Sequence, residues 1–259
     1  MIGLFILYTV NAKVIFSALL VLISLRFSAQ SVRDSSFNIP LVGVHFGGDM
    51  PKGDLAKRYG NNFNAGGNFL YKFKKNWIVG AECSYFFGKN VREDVLSQLK
   101  TSENFVIDNE GYPADLRVTE RGWNAYLVVG KIFPKIGGHN PNCGLITWVG
   151  GGYMQHKIKL YDANKKVAAV NGNLKKGYDR LTGGPALTQF IGYMYLSNNR
   201  LANFYFGFEF FEGFTQSYRV YNYDTGLKDT QKRLDIQMGF RFGWILPLYK
   251  RLPKEYYYN

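Results

Sequence analysis

The chain has 259 residues, of which 17% are aromatic, 20% are charged and 29 are glycine. That aromatic and glycine content is high for a water-soluble domain, and no stretch beyond residue 30 is long and apolar enough for a spanning helix. The formal net charge of +13 comes from basic residues scattered through polar connections and tails; without a continuous basic stripe it argues against nucleic acid as a partner and fits anionic lipid headgroups or a basic face meeting a protein.

Residues 14–25 form an apolar run after Lys13, followed by Arg26, Phe27, Ser28, Ala29 and Gln30. This is the pattern of a secretory signal peptide cleaved after Ala29, so residues 1–29 are expected to be removed. An uncleaved anchor over residues 2–25, interrupted by Asn11 and Lys13, is the alternative.

Beyond it, eight segments carry period-2 alternation, the mark of a strand with one apolar face. In residues 41–50, Val42, Val44 and Phe46 oppose Gly43, His45, Gly47 and Asp49. In residues 63–73, Phe63, Phe69, Tyr71 and Phe73 oppose Asn64, Asn68 and Lys72. In residues 77–87, Trp77, Val79, Ala81, Cys83 and Tyr85 oppose Gly80, Glu82 and Ser84. Residues 119–132 put Trp123, Leu127 and Val129 opposite Asn124 and Tyr126. Residues 144–161 are glycine-rich and their faces are ambiguous. Residues 179–196 carry Leu181, Leu187, Ile191, Tyr193 and Tyr195 on one side. Residues 201–214 align Phe204, Phe206, Phe208 and Phe210 against Tyr205, Gly207 and Glu209. Residues 231–246 are the clearest: Leu234, Ile236, Met238, Phe240, Phe242 and Trp244 alternate with Asp235, Gln237, Gly239, Arg241 and Gly243.

About eleven residues suffice for a tilted strand to cross a bilayer. The connections at residues 74–76, 134–142 and 197–200 are shorter than those at 51–62, 88–118, 162–178 and 216–230. Short inner turns alternating with long outer loops belong to outer-membrane barrels. The expected fold is therefore all-β: a closed antiparallel up-and-down transmembrane β-barrel of about eight strands over residues 30–246, in the cell outer membrane, followed by a periplasmic basic and tyrosine-rich tail over 247–259. Within the second long loop, Val91, Val95, Leu96 and Leu99 have helical spacing, which predicts a short amphipathic helix over the barrel mouth.

An eight-stranded barrel is just wide enough to be filled by its own side chains. The inward set contains Lys72, Glu82, Glu209, Asp235 and Arg241. Buried charges need partners, so Arg241 is expected to bridge to Glu209 on the adjacent strand, with Glu82 or Lys72 extending the network. No catalytic, cofactor or metal site is expected. His45 and Asp49 share a face but lie roughly 13 Å apart by strand rise; His139 falls in a turn, and His156 lies near the rim without an obvious Ser or Asp partner. No nucleophile-elbow, phosphate-loop or metal-ligand motif occurs. Cys83 and Cys143 are read as small apolar residues rather than a disulfide.

The signal end at Ser28-Ala29-Gln30, the glycine- and aromatic-rich strands, and the close at Phe240-Arg241-Phe242-Gly243-Trp244 together resemble the small outer-membrane β-barrel proteins of Bacteroidota, the OmpA-barrel-like or PorT-like group. The chain departs from that pattern by continuing past its last strand. The resemblance implies a non-enzymatic envelope scaffold or assembly partner, and members of the group include accessories of the type IX secretion and gliding machinery. In the tail, Tyr249, Lys250, Arg251, Lys254, Tyr256, Tyr257 and Tyr258 are candidate partner-binding residues, since tyrosine and arginine concentrate at binding hot spots; interface anchoring is the plainer reading. Expected partners are outer-membrane lipids or lipopolysaccharide and a periplasmic or outer-membrane protein. Two alternatives stay open: a barrel that binds or modifies lipid or passes a small solute, and a soluble lipocalin-like barrel whose phenylalanine row lines a ligand cavity.

Overall fold

The computed structural model describes residues 36–138, 140–197 and 202–248. The signal segment 1–29, His139 and tail residues 249–259 lie outside them. Eight strands run in chain order: β1 (Ile39–Gly53), β2 (Asn62–Lys72), β3 (Trp77–Gly88), β4 (Leu116–Phe133), β5 (Gly144–Asp162), β6 (Thr182–Tyr195), β7 (Phe204–Ser217) and β8 (Lys232–Pro247). Each pairs antiparallel with its chain neighbour, and β8 closes the ring by pairing with β1, Phe46 opposite Phe242. Closure leaves no open edge whose amide and carbonyl groups would lack partners in hydrocarbon. The described chain ends share one rim with the short turns, where the Leu248 amide donates to the Pro40 carbonyl at 2.9 Å. The long loops gather at the other rim.

The wall is inverted relative to a water-soluble protein. Val44 is 57% exposed, Phe208 59% and Leu127 72%, whereas Asp49, Glu82, Glu209, Asp235 and Arg241 are buried. Single exposed apolar residues are ordinary, but a continuous apolar girdle is not; it needs lipid as its solvent. Phe206, Phe208 and Phe210 point away from the barrel axis, which overturns the lipocalin-like alternative: its rings would have lined the lumen.

Inward glycines make room for inward rings. A Cβ on Gly122 would overlap the Phe86 ring, and one on Gly243 would overlap Tyr205. The resulting lumen is filled. Toward the short-turn rim it is apolar, with Leu41, Leu70, Ile78, Ile132, Ile146, Met194 and Ile245 buried around Trp148 stacked on Phe190 (centroids 4.0 Å).

The faces of β5 resolve here. Ile146, Trp148, Met154, His156 and Ile158 are buried, while Val149, Lys157 and Lys159 face outward. One expectation fails in the second long loop. Residues 91–100 form no α-helix; Val91 makes a bridge with Tyr59, and only Ser97–Leu99 turns as a 3-10 helix. Their apolar side chains still serve the mouth, because Val95 and Leu96 pack with Leu55, Tyr59, Val106, Ile158, Val167 and Val170 in a second buried cluster. The single α-helical turn among the described residues, α1 (Leu55–Arg58), lies in the first long loop instead. Cys83 faces outward and Cys143 is buried, and neither is in a disulfide.

A lysine at Phe208, on β7 one residue from the cross-strand partner of Arg241, would put a charge on the lipid face near mid-depth. Such substitutions cost about 2–4 kcal/mol at the bilayer midplane. Urea unfolding of Phe208→Lys in lipid vesicles is expected to show a loss of that size; an unchanged midpoint would place this face in water.

Candidate functional site

The chemistry-bearing side chains lie in three tiers along the barrel axis. The central tier is built on Arg241, which β8 points inward by its strand parity. Its Nη1 donates to Glu82 Oε2 on β3 at 2.8 Å, and its Nε lies 2.5 Å from Glu209 Oε2 on β7. Asn64 Nδ2 donates to Glu209 Oε1 and to Asp49 Oδ2, both at 2.7 Å. The guanidinium carbon sits 5.7 Å from the centre of the Phe211 ring, which stacks on Tyr126. One cation thus joins strands from opposite parts of the wall, with both carboxylates hydrogen-bonded or paired as burial demands. On β1, His45 Nε2 and Ser84 Oγ are 2.7 Å apart, and Asn68 donates to the Tyr205 hydroxyl at 2.6 Å.

Two members of the expected charge set sit elsewhere. Lys72 does not join the Arg241 cluster. It closes the short-turn rim, donating to Asn142 Oδ1 at 2.7 Å and Ser36 Oγ at 2.9 Å. Asp235 belongs to the tier nearest the long loops, where its Oδ2 lies 2.9 Å from His156 Nε2 and accepts from the Thr215 hydroxyl. His156 Nδ1 is in turn 3.3 Å from the Tyr59 hydroxyl, and Glu120 accepts from Asn62 at 3.0 Å. So His156 has an acid partner that the sequence did not reveal. The partner comes from β8, and the glycine run before His156 hid which way it faced.

The outermost tier is an ion network that sequence reasoning missed. It takes at least one arginine or acid from each long loop. Glu93 receives Arg58 Nε at 2.9 Å and Arg180 Nε at 2.6 Å. Arg180 also pairs with Asp224. Asp229 receives Arg233 Nη2 at 2.7 Å and Arg58 Nη2 at 3.4 Å. Arg219 holds Asp179 with a two-pronged contact at 2.5 and 2.7 Å. Arg180 adopts a left-handed backbone (φ 49°), uncommon for a side chain of its size and held here by its two ion pairs. Burial opposes the charge on Asp229, yet hydrogen bonds from Arg233 and the Gln231 amide outweigh it and hold the carboxyl below its ordinary value.

His45 with Ser84 and His156 with Asp235 have the spacing of nucleophile–base and base–acid pairs. All four are nonetheless buried inside the filled barrel, and the two pairs are not joined into one constellation. No group of three or more metal-ligating side chains occurs among the described residues. The candidate partner-binding residues Tyr249, Lys250, Arg251, Lys254, Tyr256, Tyr257 and Tyr258 lie outside the described residues.

No protein-family model matches the chain, and no curated protein does. Among solved structures it is similar to the attachment invasion locus protein Ail of Yersinia pestis, crystallised with the heparin analogue sucrose octasulfate (10% identity, TM-score 0.40, 81% of this chain and 99% of that one). It is also similar to the N-terminal β-barrel domain of Pseudomonas aeruginosa OprF (11%, 0.36, 80% and 97%), and to a major outer membrane protein of Thermus thermophilus (10%, 0.39, 80% and 98%). At such identities no functional residue is transferable between chains.

Two outcomes follow from the tiers. Removing the cation alone leaves two buried carboxylates uncompensated, so Arg241→Met is expected to lose about 3–5 kcal/mol, read as the urea midpoint in vesicles. The triple variant Arg241→Met/Glu82→Gln/Glu209→Gln should recover most of it; a triple no better than the single would contradict the ion-pair account. For the outer tier, a depressed carboxyl stabilises above its unfolded pKa, near 3.9, and that contribution fades as pH falls through the folded value. Hydrogen exchange of the outer loops in Asp229→Asn should therefore exceed wild type at pH 6, and the difference should shrink progressively as the pH is lowered below the unfolded value of about 3.9. A difference that persists in acid would assign the effect to shape rather than charge.

Proposed function

We propose that this chain is a non-enzymatic barrel of the cell outer membrane that acts as a structural scaffold or assembly partner in the envelope. The observation that carries this reading is the closed lumen. Arg241, Glu82 and Glu209 bridge the interior, a buried apolar layer fills one end, and apolar and ionic contacts among the long loops close the other. A barrel sealed in this way offers neither a water path for solutes nor an accessible reacting group, which leaves its rims and outer wall for interaction. The lipid girdle and the gathering of long loops at one rim support the outer membrane as its location.

Within that reading, the tail over residues 247–259 is the element that meets a periplasmic or outer-membrane partner, through the tyrosine and basic residues named above. The narrower role, an accessory of type IX secretion and gliding machinery, rests on the sequence resemblance alone.

Planar-bilayer recording tests the closed lumen: the refolded barrel is expected to give no stable single-channel current, and steady conductance would favour solute passage. Crosslinking in native membranes tests the scaffold. A discrete partner band that disappears on deleting residues 249–259 is expected; a band pattern unchanged by the deletion would remove the tail from the account.

A further inference from the structure

The lipid-facing wall is not uniform. At the long-loop end of β4 and β5, Arg121 and Lys157 are direct cross-strand partners on the outward face. Like charges placed opposite one another across a ladder repel. Lys159 stands two residues farther along the same face, and Lys175 comes from the third long loop to line the same cleft, whose volume is about 420 Å³. None of these four cations makes an ion pair with a carboxylate among the described residues. The acid lining the cleft, Asp179, is already held by Arg219.

Directly below the cations, toward mid-depth, runs an aromatic row. Trp123 is the cross-strand partner of Tyr85 and packs 5.5 Å from Tyr153, and Arg121 lies over the Phe87 ring at 5.9 Å. Aromatic rows of this kind sit at headgroup level. Below the row, the wall loses its side chains: Gly67, Cys83 and Ala125 are successive cross-strand partners, and Gly151 faces Leu127. Together with Phe69 and Leu127 they form a shallow apolar groove on the outside of the barrel.

We propose that this wall is a specific site for a phosphorylated, multiply acylated lipid of the surrounding leaflet. Arg121, Lys157, Lys159 and Lys175 take the phosphate groups, and an acyl chain lies in the groove floored by Gly67, Cys83, Ala125 and Gly151. A soluble polyanion would satisfy the cations equally well. It has no use for an apolar groove, and three of the four cations, Arg121, Lys157 and Lys159, stand on the strands of the wall just above the aromatic row rather than in the loops. The inference rests on the reading that the barrel spans a membrane.

The test uses the mature chain refolded in detergent with equal amounts of bisphosphorylated lipid A and the same lipid with its phosphates removed, the bound lipid being read by native mass spectrometry. Wild type is expected to retain the phosphorylated form selectively. Each Lys or Arg near an anionic lipid surface contributes roughly fivefold, so Arg121→Gln/Lys157→Gln/Lys159→Gln/Lys175→Gln should lose that preference by on the order of a hundredfold or more. The charge-matched control Lys74→Gln/Lys89→Gln/Lys165→Gln/Lys228→Gln should keep it. Gly151→Leu, whose Cβ would meet only the Leu187 side chain at an ordinary contact distance of 3.9 Å, should weaken lipid retention with all four cations intact. Equal losses in site and control variants would reduce the effect to bulk charge. Displacement by a soluble sulfated oligosaccharide, with no effect of Gly151→Leu, would replace the lipid by a polyanion. Barrel formation is read separately, as the heat-dependent migration of the folded form on a detergent gel. A folded, membrane-inserted wild type without lipid preference therefore overturns this site alone, whereas failure to insert overturns the reading beneath it.

Discussion

The constraint on which the rest depends is that a backbone in hydrocarbon must satisfy its own hydrogen bonds. A sheet can do so only by closing, and here closure is the pairing of β8 with β1 over thirteen positions from Leu41–Pro247 to Gly53–Asp235. Once the ring is shut, strand parity allows each side chain only two destinations, lipid or lumen. A one-residue slip would exchange them everywhere at once. Phe240 and Phe242 stay outside because Arg241 between them has two carboxylates to meet inside, and the reverse is equally true. The exterior aromatic girdle and the interior ion cluster are therefore two consequences of a single register.

This is why so much of the fold is legible in the residues alone. Alternation in β1, β2, β3, β7 and β8 assigns faces directly, because one face is uniformly apolar and the other carries Asn, Asp, Glu, Gly or Arg. The pairing of Arg241 with a neighbour on β7 follows from parity and the need of a buried charge for a partner. What stayed hidden has physical causes. On β5 the inward residues Ile146, Trp148, Met154 and Ile158 are themselves apolar, since they fill the dry layers of the lumen, and Gly150, Gly151 and Gly152 carry no side chain to signal a face. That ambiguity also concealed the inward turn of His156 toward Asp235.

The loops were the other blind spot. Helical spacing in residues 91–100 recorded only that one side is buried, and a bent segment held by the Tyr59–Val91 bridge buries Val95 and Leu96 as well as a helix would. The ion network of Arg58, Glu93, Arg180, Asp224 and Asp229 joins residues up to 171 positions apart. Nothing local marks them as partners. Lys72 faces inward but closes the short-turn rim with Asn142 and Ser36 rather than joining Arg241, because parity gives the face and not the depth. A lumen packed in this way leaves surfaces for interaction: a rim where the long loops lock together, and an outer wall whose cations, rings and bare groove are stacked in the order of a lipid's own headgroup, interface and chain.

The four tryptophans provide the most direct test of which side meets lipid. Trp77, Trp123 and Trp244 are 38–47% exposed on the outer wall, whereas Trp148 is 2% exposed inside the lumen. In single-tryptophan variants refolded into vesicles whose acyl chains carry bromine, emission from the three outer residues should be strongly quenched and that of Trp148 left nearly unchanged. Quenching of Trp148 equal to the others, or none at Trp77, Trp123 and Trp244, would mean that the aromatic face does not lie against the bilayer.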